Sequence, residues 1–180
     1  NQLPQYIPVA KKWVKEKNLD QVVFELFRKS SERDVLATLT LNEANNWQGV
    51  FKRLANGELL DPEVTDYDVR EVLPERYSLD YTVMSINDPS KPAEGEDEHT
   101  YTIINERKVR TYYVRKEWED DNNRLGKRKP IKVQLKQDGQ NYRDPLDITE
   151  DDKWKISISD VPSVNNGRPY IYSADEVEVP

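Results

Sequence analysis

Short runs in which apolar and polar residues partly alternate recur along the whole chain, and their period of two predicts strands rather than helices. In the first half they are VAKKW (9 to 13), QVVFELFRK (21 to 29), VLATLTL (35 to 41), WQGVFKRL (47 to 54), YDVREV (67 to 72), YSLDYTVMSI (77 to 86) and HTYTIIN (99 to 105). The second half adds RTYYVRKEW (110 to 118), PIKVQLKQDG (130 to 139), DKWKISISD (152 to 160) and YIYSADEVEV (170 to 179). Turn residues separate the runs, among them Asn56-Gly57, Asp61-Pro62, Asn166-Gly167 and the acidic, Pro-containing stretch from 87 to 98. Helical periodicity is scarce, so the pattern predicts an all-β sandwich architecture.

The two series of runs repeat one another. Lys11, Trp13, Trp47, Tyr67 and Glu71 correspond in order to Lys116, Trp118, Trp154, Tyr172 and Glu176. The same 60-residue interval separates Lys11 from Glu71 and Lys116 from Glu176, and all four tryptophans of the chain fall on the repeat. Two tandem domains follow, over residues 1–108 and 109–180. The junction around Glu106 to Val109 contains neither Gly nor Pro, which predicts a stiff, extended connection.

Strand parity then decides which lysine points inward. Val9, Lys11 and Trp13 share one face, and Ala10, Lys12 and Val14 the other. In the second copy Arg115, Glu117 and Glu119 form a face too charged to bury. That leaves Val114, Lys116 and Trp118 for the core, and by correspondence Lys11. The same parity groups Tyr67, Val69 and Glu71, and Tyr101, Ile103 and Asn105. A lysine, a glutamate and an asparagine thus converge on the first core.

Burying such groups is costly, and two explanations stand. One is an ion pair between Lys11 and Glu71 with Asn105 filling hydrogen bonds. The other is a reaction. Burial pushes an amine toward its neutral, nucleophilic form and a carboxylic acid toward its protonated form, able to polarise an amide carbonyl. Attack of Lys11 on the side-chain amide of Asn105 would expel ammonia and leave an isopeptide cross-link, with Glu71 relaying protons.

The order Lys-x-Trp, an apolar strand, a central Trp strand, YDVREVLPERY and a closing TIIN resembles the B-type repeat domain of the collagen adhesin, the CnaB family of Gram-positive surface proteins and pilins. The resemblance covers nearly the whole chain, twice. It implies sandwiches of inverse immunoglobulin or transthyretin-like type in an extracellular stalk or pilus subunit, attached to the bacterial cell surface. It also implies Lys11 as nucleophile, Asn105 as amide partner and Glu71 as proton-relay acid. In the second copy Lys116 and Glu176 take the first and third roles, but the matching asparagine would fall near position 210. The second sandwich is therefore expected to lack its last strand within this chain, and Lys116 its partner.

Composition narrows the partners. The formal charge of -7 opposes nucleic-acid binding, and no apolar run is long enough to insert into a membrane. Without cysteine there is neither a disulfide nor a thiolate metal site, and the single His99 reads as a loop residue. No cofactor is implied. The acidic runs Glu94 to Glu98 and Glu119 to Asn123 lack the spacing of a calcium loop and read as solvated turns. Expected partners are other domains or subunits of the same surface protein or pilus, and host extracellular matrix. The alternative function is a ligand-binding sandwich for host matrix protein or glycan, using Tyr112, Tyr113 and Tyr142. A one-time self-cross-link is maturation, so an enzyme is not expected.

Overall fold

A computed structural model of the chain describes residues 5–87 and 100–178; His99 and the run from Glu94 to Glu98 lie outside them. The chain divides into two compact units, Asn1–Arg107 and Lys108–Pro180. Both are built of strands.

In the first unit the strands are β1 (Ile7–Val14), β2 (Gln21–Arg28), β3 (Ala37–Asn42), β4 (Gln48–Phe51), β5 (Tyr67–Val72), β6 (Tyr81–Asn87) and β7 (Tyr101–Arg107). One sheet has the order β4-β1-β7-β6 and the other β3-β2-β5. Alternate residues of β1, β2 and β5 are buried, and their inward side chains fill a core that includes Val9, Val22, Phe24, Leu26, Leu41, Val69 and Ile103. Phe24 and Leu26 are wholly enclosed, each worth about 1.5 to 3 kcal/mol of transfer free energy.

The strand that opens the unit and the strand that closes it lie side by side. β1 and β7 are parallel, with Lys11 opposite Ile103 and Trp13 opposite Asn105. Among the described residues every other strand pair is antiparallel. Alternation makes Lys11, Trp13, Ile103 and Asn105 share the inner face of that sheet.

One expected strand is shorter than its pattern. Residues Tyr77–Asp80 form a 3-10 turn, not the first half of a strand. β5 ends at Val72, the amide of Tyr77 donates to the carbonyl of Pro74, Arg76 takes a left-handed conformation (φ 73), and the amide of Leu79 donates to the carbonyl of Arg76. The apolar alternation over YSLDY therefore spans a turn that buries Asp80 rather than a strand.

The second unit holds β8 (Val109–Arg115), β9 (Ile131–Gln137), β10 (Gln140–Asn141), β11 (Leu146–Ile148), β12 (Lys155–Pro162), β13 (Val164–Asn165), β14 (Arg168–Pro169) and β15 (Tyr172–Val177). β9 lies between β15 on one side and β10 with β11 on the other, matching the arrangement of β2 between β5 and β3. Phe24 opposes Glu71 in the first unit, and Val133 opposes Glu176 in the second. β8 pairs with β12 as β1 pairs with β4. Among the described residues β12 is the one strand paired with β8. The architecture is all-β, two tandem sandwiches with open sheets.

Candidate functional site

Lys11 and Asn105 come from neighbouring strands of one sheet, and Glu71 reaches them from β5 of the facing sheet. The Glu71 carboxylate bridges the pair. Its Oε2 lies 2.9 Å from Lys11 Nζ, and its Oε1 accepts a 2.9 Å hydrogen bond from Asn105 Nδ2. The lysine side chain is 0% exposed and that of Glu71 8%, while Asn105 is fully buried. Lys12, one position along, is exposed, so parity picks out the inward lysine.

The electrostatics of this arrangement leave one group strongly perturbed. Burial pushes the Lys11 amine down from its ordinary 10.5 to about 8, against the opposing pull of the Glu71 charge. The Nζ to Oε2 approach is a charge contact whose angles fall outside hydrogen-bond geometry, and Asn105 Oδ1 meets no donor among the described residues. A buried amine, a carboxylate and an amide with a free carbonyl oxygen form an unfinished hydrogen-bond set. In one respect the contact differs from expectation. Glu71 holds the amide nitrogen rather than the carbonyl, because a carboxylate can only accept and the NH₂ is the group that donates.

Aromatic rings close one side of the site. Lys11 Nζ sits 4.5 Å from the Trp13 ring centroid. Trp13 meets Trp47 edge-on at 5.5 Å, and the Tyr81 ring lies 6.1 Å from it. Beyond Tyr81 is a buried polar cluster that the strand pattern did not signal. The Tyr81 hydroxyl donates to Asn18 Oδ1 (2.6 Å), and Asn18 Nδ2 donates to the wholly buried Asp80 (2.7 Å). Its one sequence cue is an aspartate at the midpoint of an otherwise apolar run. A cavity of about 460 Å³ borders Glu71 and Asn105 from another side, lined also by Leu73, Met84, Ile86 and Ile103.

The second unit repeats part of this. Lys116 Nζ lies 2.7 Å from Glu176 Oε1 and 4.9 Å from the Trp118 ring centroid, and Trp118 meets Trp154 at 5.2 Å. Here the lysine and glutamate side chains are 26% and 52% exposed, so the pair is much wetter than Lys11 with Glu71. Lys116 also falls just past the end of β8 instead of within it. Asn165 and Asn166 belong to the β13-β14 hairpin, where Asn166 adopts φ 50.

The three tyrosines considered as ligand contacts separate. Tyr113 is 77% exposed, whereas Tyr112 and Tyr142 each pack on Tyr172. In the run from Glu119 to Asn123, both oxygens of Asp120 are engaged by Arg128 at 2.7 and 2.8 Å, which holds its carboxyl well below the usual range. Among the described residues no group of three or more His, Cys, Asp or Glu could hold a metal ion, and no helix is long and apolar enough to cross a membrane.

Comparison with known proteins agrees with the internal repeat. The family described as Cna protein B-type domain matches residues 7–106 and again residues 112–180. Among solved structures, the chain is similar to a single B repeat unit (B1) of the collagen-binding surface protein of Staphylococcus aureus, at 24% identity and a TM-score of 0.39, covering 98% of this chain and 87% of that one. A two-repeat structure (B1B2) of the same protein gives 23% identity, a TM-score of 0.38 and coverage of 98% and 44%. The open conformation of the pilus adhesin SpaC from Lactobacillus rhamnosus GG gives 18%, 0.38, 98% and 20%. No curated protein matches the chain.

Proposed function

The chain belongs to the Cna protein B-type domain family, and on that premise we propose that it is a structural stalk or shaft region of a bacterial surface adhesin or pilus subunit, its first unit locked by a self-formed isopeptide bond between Lys11 and Asn105. The observation that carries the reading is the Glu71 carboxylate, with one oxygen on the lysine amine and the other on the amide nitrogen.

That geometry supports a proton relay. Glu71 Oε2 takes a proton from the Lys11 ammonium, and the neutral Nζ attacks Cγ of Asn105. Oε1 delivers that proton to Nδ2, the bond from Cγ to Nδ2 breaks and the nitrogen departs as ammonia, while the carboxylate takes the second Nζ proton, leaving a neutral secondary amide and a protonated Glu71. One amide replaces another, with no oxidant or cofactor consumed. A lysine held near 8 has a sizeable neutral fraction at physiological pH, which an ordinary lysine lacks.

The bond would join β1 directly to β7, the strands through which the chain enters and leaves the unit. Tension applied at Ile7 and Arg107 then passes through the cross-link instead of peeling the sheet. This suits a load-bearing role outside the cell, among other domains or subunits of the same assembly and against host matrix. Lys116 and Glu176 take the equivalent nucleophile and relay roles over residues 109–180, with their amide partner outside those residues.

The test is the intact mass of the purified chain. The expected result is a deficit of one ammonia, lost in Lys11→Ala, Asn105→Ala and Glu71→Ala. An unmodified mass would remove the bond from the account.

A further inference from the structure

The tryptophans are the part of the repeat that the proton relay leaves unused, and both units treat them alike. Trp47 and Trp154 have left-handed backbones, φ 56 and 60, which a bulky residue adopts only at a cost. In each unit the tryptophan carbonyl extends the antiparallel strand register by one position onto the lysine. The amide of Lys11 donates to the carbonyl of Trp47 at 2.9 Å, and that of Lys116 to Trp154 at 2.8 Å. The amides of Trp47 and Trp154 are in turn held by the carbonyls of Asn42 (2.8 Å) and Thr149 (3.0 Å). Each indole then stands edge-on against the tryptophan two residues after the lysine, whose ring the lysine Nζ approaches.

We propose that each tryptophan pair, Trp13 with Trp47 and Trp118 with Trp154, is a lysine seat: a positioning device that fixes the lysine backbone by one carbonyl and covers its amine with an indole. The proposal rests on the isopeptide reading above and adds residues to it. Packing alone does not account for the pair. Apolar volume can be supplied by any large side chain, and a left-handed turn is most cheaply made by Gly or Asn. Trp47 and Trp154 supply the carbonyl contact, and their indoles pack edge-on against Trp13 and Trp118, the rings that cover the amines.

The ring acts on the amine in two opposed ways. An aromatic face attracts an ammonium, and the same face excludes the water that would solvate it. Exclusion dominates at Lys11, where burial is the largest influence on an amine that ends at about 8. The charged group facing Lys11 is Glu71 from β5, which favours the ammonium; Tyr81 from β6 lies beyond the Trp13 ring, its own ionisation held above the usual range by burial. Asn105 from β7 is neutral. Trp13 is thus the group on the lysine's own strand that keeps solvent away.

The experiment uses full chain recovered unreacted under denaturing conditions, folded by dilution at a series of pH values, with loss of ammonia followed by intact mass. At pH 7 an amine at about 8 is neutral about 300 times more often than one at 10.5. Trp13→Leu is expected to slow the reaction by up to that factor at pH 7, to shift the midpoint of the rate profile upward, and to converge with the parent only above about pH 11. Trp13→Phe, which keeps an aromatic face, retains most of the rate. Lys11 is also titrated by NMR in Asn105→Ala, where no bond forms, and its midpoint is expected near 8. Equal slowing of Trp13→Leu at every pH, an unchanged rate, or an ordinary midpoint near 10.5 in Asn105→Ala would overturn the seat. A parent chain that never loses ammonia would instead overturn the bond itself.

Discussion

Replacing Asn105 by alanine removes the acceptor of the proposed cross-link while leaving Lys11 and Glu71 paired across the sheets. The bond closes a loop of 94 positions, and the loop-entropy relation used for disulfides gives about 4 to 5 kcal/mol for that constraint. For a unit of this size 1 kcal/mol moves the midpoint by roughly 4 to 5 °C, so losing the constraint lowers it by roughly 15 to 25 °C. Differential scanning calorimetry of the full chain measures this on the transition of the first unit, with the second unit's transition as an internal reference. A drop of about 10 °C or less, which loss of the Asn105 Nδ2 hydrogen bond from an unbonded chain accounts for, refutes the cross-link as a major source of stability.

The same variant has a pH dependence that the parent lacks. Folded Lys11 lies at about 8 and its unfolded counterpart at 10.5, so between those values the unfolded chain binds more protons and stability rises with pH, by up to about 3 kcal/mol. Denaturant titrations of Asn105→Ala at pH 7.5 and 10 read the rise; a parent carrying the proposed bond has no amine to titrate there and shows no such contribution. Lys11→Met blocks the bond and also strands the Glu71 carboxylate in the core, so its first-unit midpoint falls below that of Asn105→Ala by an amount equivalent to about 3 to 5 kcal/mol. Gly49→Val forces side-chain atoms against Leu39 and Leu41, which already lie 3.0 Å from where a Cβ would stand; urea unfolding of the first unit should show a loss of about 1 to 3 kcal/mol.

Much of this site could be read from the chain itself because duplication supplies what a single copy withholds. Either face of VAKKW could be buried, but the charges of Arg115, Glu117 and Glu119 exclude one face in the second copy and so choose Lys11 over Lys12. The shared interval then points to Glu71. What stayed hidden depends on three-dimensional context. Alternation cannot say that β7 lies parallel to β1, since that neighbour relation is made by the whole sheet order. Nor can it distinguish a strand from a 3-10 turn across YSLDY, where Arg76 and the burial of Asp80 decide. The left-handed backbone at Trp47 and Trp154 is likewise invisible in composition, because nothing about tryptophan invites it. The orientation of the Asn105 amide follows from the charge of its partner, and so became apparent only when the carboxylate was placed beside it.

The central claim is a covalent bond between two named atoms, and the measurement closest to it is tandem mass spectrometry of a proteolytic digest of the intact chain. The account predicts a branched peptide in which the segment containing Lys11 is joined through its side chain to the segment containing Asn105, at the sum of their masses less one ammonia. Recovery of both segments only as separate, unmodified peptides would contradict it.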